Sequence, residues 1–334
     1  MFGIEIFEVL IFFRQLGLSV AGAAAFWGCV FLFLGKKTKD ARSSALWQGV
    51  SQKLILIFFP AFFLFSAVWA VIAISQCVFC ISAHEGISIA ETSAGLINAT
   101  YKQYGLYVAY VILGLAGFAA FLIRRAFFYK HIGWFFGAFF LIISALLLYP
   151  WAPLGSFRHD IAASLHGWHS IFTLGSVVIV DFLFIALKFN LRPYLTKIFP
   201  LITGGVWLGL GLDFINAGLI FQEEFLSIPR ILFMQTLIGI VIINGALLSG
   251  PISRAIISFQ ERMNSEYIPS SLKKIVGISG AVSITAWASV TALDGFRSLT
   301  LTYWQIAFFY ILFAGVIFLS RGIFEKILER YSGD

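Results

Sequence analysis

Residues 54–76 read LILIFFPAFFLFSAVWAVIAISQ, a run without one charged side chain. A helix needs roughly 20 apolar residues to cross about 30 Å of hydrocarbon, so this stretch predicts a transmembrane helix. Eight more stretches meet the same test, near 9–34, 105–123, 132–149, 169–187, 198–221, 231–249, 275–293 and 304–320. The rest of the chain agrees. Of its 334 residues, 60% are hydrophobic and only 12% charged, with 38 Phe and 9 Trp. A soluble domain is about 25% charged, so an ordinary cytosolic enzyme, a disordered tail and a disulfide scaffold are excluded. The expected fold is all-α, a polytopic transmembrane bundle of about nine helices forming a single integral membrane domain over 1–334.

The net charge of +7 would allow a nucleic-acid partner, but the basic residues lie in short segments between apolar spans. Segments 36–53, 124–130, 188–197, 249–274 and the tail from 321 hold 18 of the 23 Lys and Arg. The alternate segments hold Lys102, Arg158, Arg230 and Arg297, and Arg14 lies within the first span. Basic residues concentrate in cytoplasmic loops, which predicts an outside N-terminus, a cytoplasmic C-terminus and an odd number of spans. The first stretch begins acidic, with Glu5 and Glu8, and reads as a retained helix rather than a signal peptide. A Lys opens each outward-going span at Lys53, Lys130, Lys197 and Lys273. The plan is a lone first helix followed by four helical hairpins. Segment 249–274 is amphipathic and is expected to lie on the cytoplasmic membrane surface. The lipid bilayer is therefore the first partner, and the cytoplasmic membrane of a bacterium the expected location.

Candidate metal ligands gather on the predicted outer side. The second span ends in Cys77-Val-Phe-Cys80, with His84 four residues on. The loop before the fifth span carries His159, and His166-Gly-Trp-His169 opens that span. Two His at i, i+3 share a helix face, and thiolate with imidazole suits copper or zinc. Alternatives stay open: Cys77 and Cys80 also fit an outer-face disulfide, and His166 and His169 also fit hydrogen bonding at the headgroup level. Haem b is disfavoured, because no predicted span has a His near its middle, leaving His166 and His169 as the axial candidates. Met234 is the one Met inside a predicted span, so a thioether ladder for Cu(I) is absent. No nucleotide, haem c or nucleophile motif occurs, and no catalytic residue is assigned.

Arg14, Asp181 and Asp213 lie inside apolar spans. Each costs at least about 2.5–3.5 kcal/mol on insertion scales and needs a partner or water. They serve either as packing glue, including an Arg14–Asp213 ion pair and an Asp bonded to Ser, Thr or Asn244, or as a polar track. Small residues from Thr203 to Asp213 and from Gly277 to Ala292 predict closely approaching helices.

Around the fourth and fifth spans, Leu165-His166-Gly-Trp-His169-Ser-Ile resembles the copper-resistance D (CopD-like) membrane proteins. The resemblance extends loosely to the basic segment after the first span and to Thr302-Tyr303-Trp304. It departs from the pattern in Arg14-Gln15, where that family tends to carry a His, in Thr173-Leu-Gly-Ser176, and in the ninth span. The resemblance implies copper handling, with metal on His166 and His169 and less directly on His159. It would bring a soluble metal carrier on the outer side as a partner. Two other functions compete. One is a transporter of another ion or solute, built on Asp181, Asp213 and Asn244. The other is a non-catalytic subunit that docks other membrane subunits through its apolar faces.

Overall fold

The computed structural model describes residues 6–84, 122–123, 127, 130–148, 157–186, 194–220, 228–263, 269–296 and 300–331. Every regular element among them is helical. The helices are α1 (Ile6–Lys37), α2 (Ala41–His84), α3 (Ile132–Leu148), α4 (Phe157–Ser170), α5 (Ser176–Ala186), α6 (Phe199–Ile220), α7 (Pro229–Leu247), α8 (Ser253–Met263), α9 (Ser270–Gly295) and α10 (Tyr303–Tyr331). Three π-helical turns, Ile171–Gly175, Tyr194–Ile198 and Leu248–Ile252, run into α5, α6 and α8.

The protein is a polytopic membrane helix bundle. Six described segments are long and apolar enough to cross a membrane: Glu8–Lys37, Ala41–Ile72, Thr196–Asn216, Pro229–Arg262, Ser270–Asp294 and Tyr303–Ser320. A shorter apolar helix covers Ile132–Ser144. Many large apolar side chains point outward, among them Phe214 at 80% exposure and Trp304 at 78%. On a water-facing surface such patches would be a liability; against lipid tails they cost nothing. The predicted span at 105–123 lies outside the described residues except at its last two positions.

Two boundaries differ from the sequence reading. Segment 36–53, expected as a basic connection, is helical from Ala41 onward. Asp40 accepts the backbone N–H groups of Arg42 and Ser43 at 3.3 and 2.9 Å, which caps the helix start. The first turns are held by Trp47, whose ring stacks on Phe31 at 5.5 Å. Hydropathy registers apolarity rather than capping, so this polar opening was not visible as helix. For the same reason, the stretch with His159, expected as a loop, is helix α4.

By internal packing the chain divides into two compact units, Glu5–Ile171 and Met1–Ile4 with Phe172–Asp334. In the first, α1 packs along α2 and α3. Ala21, Ala23, Ala24 and Ala25 are fully buried, and a Cβ on Gly17 would lie 2.7 Å from the Phe65 backbone nitrogen. The two helix backbones therefore meet with almost nothing between them, the arrangement that small residues permit in a membrane. Phe58 and Phe62 of α2 meet Phe139 of α3 edge to face at 4.7 and 4.4 Å, an arrangement that satisfies the ring quadrupoles.

In the second unit, α9 packs against α7 and α10. Asn244 donates to the Ser279 carbonyl at 2.8 Å, and the Ser279 hydroxyl donates back to the Asn244 side-chain oxygen. This reciprocal pair closes a buried polar seam between α7 and α9. Beyond a π turn at Pro251, α8 buries Ser253, Ile256 and Gln260 and exposes Arg254, Ser258, Glu261 and Arg262. The buried set at i, i+3 and i+7 is one helical face, as expected for an amphipathic segment within 249–274.

Candidate functional site

The histidine pair is built on α4. Residues 157–170 form a continuous helix, so His166 and His169 sit in its closing turns rather than at its start. Their ring centroids are 6.2 Å apart, with planes tilted by 35°. His169 is buried and His166 half-buried. Gln15 of α1 reaches both turns, its amide nitrogen lying 2.9 Å from His166 Nε2 and 3.1 Å from Ser170 Oγ.

The donors in this network can be assigned. The Ser170 hydroxyl donates to the His166 carbonyl at 3.1 Å. Its oxygen must then accept, which turns the NH₂ end of Gln15 toward it. The second amide hydrogen of Gln15 falls on His166 Nε2, so Nε2 accepts and the ring proton of the neutral form sits on Nδ1. A metal at Nε2 would have to displace Gln15.

The other candidate ligands do not join this pair among the described residues. His159 lies on α4 seven residues before His166, about 10.5 Å of helical rise; its side chain is outside the described set. Cys77, Cys80 and His84 lie on the last turns of α2, and their side chains are also outside it. Among the described residues no group of three or more His, Cys, Asp or Glu side chains could hold a metal.

The intramembrane polar residues separate by role. Arg14 lies on α1 and Asp213 on α6, each half-buried. Asn244 is engaged with Ser279 in both directions. Asp181 is different, because it lines a cavity of about 60 Å³ between α5, α6, α7 and α9. Its Oδ2 is sealed from solvent. Its Oδ1 approaches α9 so closely that a Cβ on Gly280 would stand 3.6 Å away.

Thr203, Ser283, Trp207 and Trp287 also line this cavity, with Phe199, Gly245 and aliphatic side chains completing it. The Thr203 hydroxyl donates to the Phe199 carbonyl at 2.7 Å, so its oxygen can act further only as an acceptor. One water needs about 10–15 Å³ measured this way, so the space holds roughly four. The three π turns lie close to this cavity in sequence: Leu248 opens one, Phe199 follows another directly, and Val177 stands two positions beyond the third. A π turn adds a residue and loosens the regular i→i−4 bonding, and such turns recur at functional sites.

Sequence reading singled out Asp181 as a site residue, and its companions only as members of the small-residue stretches 203–213 and 277–292. Ser283, Trp207 and Trp287 carry no motif; only the pairing of four helices distant in sequence brings them together. No protein-family model, no curated protein and no solved structure matches the chain. The copper-resistance resemblance therefore rests on the residues quoted for it, while the bundle architecture is common to many membrane protein families.

Proposed function

We propose that this protein is a membrane carrier for a small cation, bound at Asp181 in the cavity of its second unit. One observation carries this reading: an ionisable carboxylate stands in a space large enough to hold water, lined by Leu248 of one π turn and by residues within two positions of the other two. An intramembrane charge is costly and calls for a functional explanation. Water and a guest cation supply one, since both stabilise the ionised form. The test is purified protein reconstituted in vesicles of neutral and anionic phospholipid, followed by isotopic or pH-probe flux measurements. Saturable cation flux above that of empty vesicles is expected. Flux equal to that of empty vesicles for protons, alkali cations and small ammonium ions alike would overturn the proposal.

The orientation proposed with it places the N-terminus outside and the C-terminus in the cytoplasm of a bacterial inner membrane, with nine spans. It rests on the segregation of Lys and Arg. A cysteine replacing Ser43 should resist membrane-impermeant maleimide in intact cells and react after permeabilisation. Labelling in intact cells would reverse the orientation.

Copper binding at the outer face is a second reading, favoured by the adjacency of the His166 and His169 rings. Only neutral imidazole coordinates metal. Metal content should therefore fall as the pH drops through the His range near 6.5. Elemental analysis of freshly purified protein should then find copper or zinc near one equivalent. The double variant His166→Ala, His169→Ala should lose it, and His131→Ala should keep it. Metal-free wild-type protein at neutral pH, or metal retained by the double variant, would remove this reading.

A further inference from the structure

We infer that the Asp181 cavity takes a small organic ammonium ion, held between the carboxylate and two indole rings, in preference to a bare metal ion. The inference rests on the reading of this cavity as a cation site and names what the site selects.

The lining decides between the two kinds of cation. Hard inorganic ions replace their hydration shell with oxygen ligands, commonly six or more for divalent ions. The cavity's side chains offer the Asp181 carboxylate and the hydroxyls of Thr203 and Ser283. Thr203 Oγ1 has already committed its proton to Phe199. The remaining lining is Val, Leu, Phe, Trp and Gly. A bare ion entering here would exchange most of its water for hydrocarbon, at a cost that one carboxylate and two hydroxyls do not offset.

An alkylammonium ion divides differently. Its charged head takes the carboxylate and the hydroxyl oxygens, and its carbon atoms replace water against apolar wall. Trp207 and Trp287 add what a plain apolar wall lacks, because the face of an indole is the strongest cation–π partner among side chains. Trp287 is buried at 1% exposure and Trp207 stands at 42%, so one ring is fixed in the interior while the other borders the outside of the unit.

Size and charge agree. A space of about 60 Å³, at about 10–15 Å³ for each water-sized occupant, accepts roughly four non-hydrogen atoms. Ethylammonium, propylammonium and trimethylammonium are of that size. The single carboxylate of the cavity matches one positive charge.

The experiment uses the full-length protein in vesicles of phosphatidylcholine and phosphatidylglycerol. Binding and uptake of ethylammonium and trimethylammonium are measured in competition with sodium and potassium. Ammonium binding should saturate and persist in a hundredfold excess of either alkali ion. Asp181→Asn should abolish it. Trp207→Leu should weaken it about tenfold, and Trp207→Phe, which keeps a ring, should recover part of the loss. Trp287→Phe avoids emptying the core and should weaken binding less than Trp207→Leu. If Asp181→Asn abolishes binding while Trp207→Leu leaves it unchanged, or if alkali ions compete on equal terms, the organic-ammonium assignment falls and the cation site stands. If no cation binds in a manner that Asp181→Asn removes, the cation site itself falls.

Discussion

Asp181→Asn is expected to lower saturable cation flux at least a hundredfold, to the level of empty vesicles, a loss of more than about 2.8 kcal/mol of interaction with the transported ion. The same substitution should leave the melting temperature of the purified protein unchanged or raise it. Asn keeps the shape of Asp and its capacity for hydrogen bonds, but it carries no charge to bury. The two readouts together separate the two roles open to this residue. A carboxylate serving as packing glue would leave its partner group in the bundle without an ionic contact, and the protein would melt earlier. A carboxylate kept for its ligand can be replaced by Asn with the packing of the bundle intact. Loss of flux with retained stability is the expected pattern. Loss of stability with retained flux per folded molecule would assign Asp181 to packing.

The largest effect on stability should come from Gly17→Ala. A Cβ at this position would stand 2.7 Å from the Phe65 backbone nitrogen and 2.9 Å from the Ala61 carbonyl oxygen. Both are main-chain atoms of α2, which no rotamer change can remove from the way. The helices must separate, and the packing of α1 along α2 is lost along its length. Overpacking costs about 1–3 kcal/mol, and a main-chain obstacle places this case at the upper end. Gly28→Ala meets the ring of Phe136 instead, at 2.3 Å. A ring can swing, so its cost should be smaller. Gly204 has open space around it, and Gly204→Ala should be neutral or slightly stabilising, since Ala is the better helix former. Thermal unfolding in detergent should rank the variants in that order. A Gly17→Ala protein as stable as Gly204→Ala would contradict the close approach of α1 and α2.

How far the sequence reading reached depended on the physics behind each feature. The thickness of a bilayer imposes a length on every spanning helix, so stretches such as 54–76 and 304–320 declared themselves by apolarity alone. Helix outside the apolar stretch has no such marker. The opening turns of α2 depend on the Asp40 cap and the Trp47–Phe31 stack, and α4 is too polar to register. Reading α4 as a loop then misplaced His159, which lies about two helical turns from His166. Periodicity served well where a helix has two unlike faces, as with Ser253, Ile256 and Gln260. The candidate site was legible only in its charge. Asp181 is conspicuous in an apolar span, whereas the cavity beside it requires Thr203, Trp207, Ser283 and Trp287 to converge from other helices. The Gln15 contact to His166 spans 151 residues of chain, and no local pattern signals it.

The cation site can be examined directly by carbodiimide labelling. Hydrophobic carbodiimides modify carboxyl groups in apolar surroundings by capturing their transiently protonated form, and peptide mass spectrometry locates the adduct. Purified protein in lipid vesicles is treated with and without ethylammonium, and in its absence the adduct is expected on Asp181. Labelling should be suppressed in proportion to ethylammonium occupancy, since a bound cation holds the carboxylate ionised and covers it. An adduct on Asp181 whose yield responds to none of the ammonium or alkali cations supplied would contradict a cation site in this cavity.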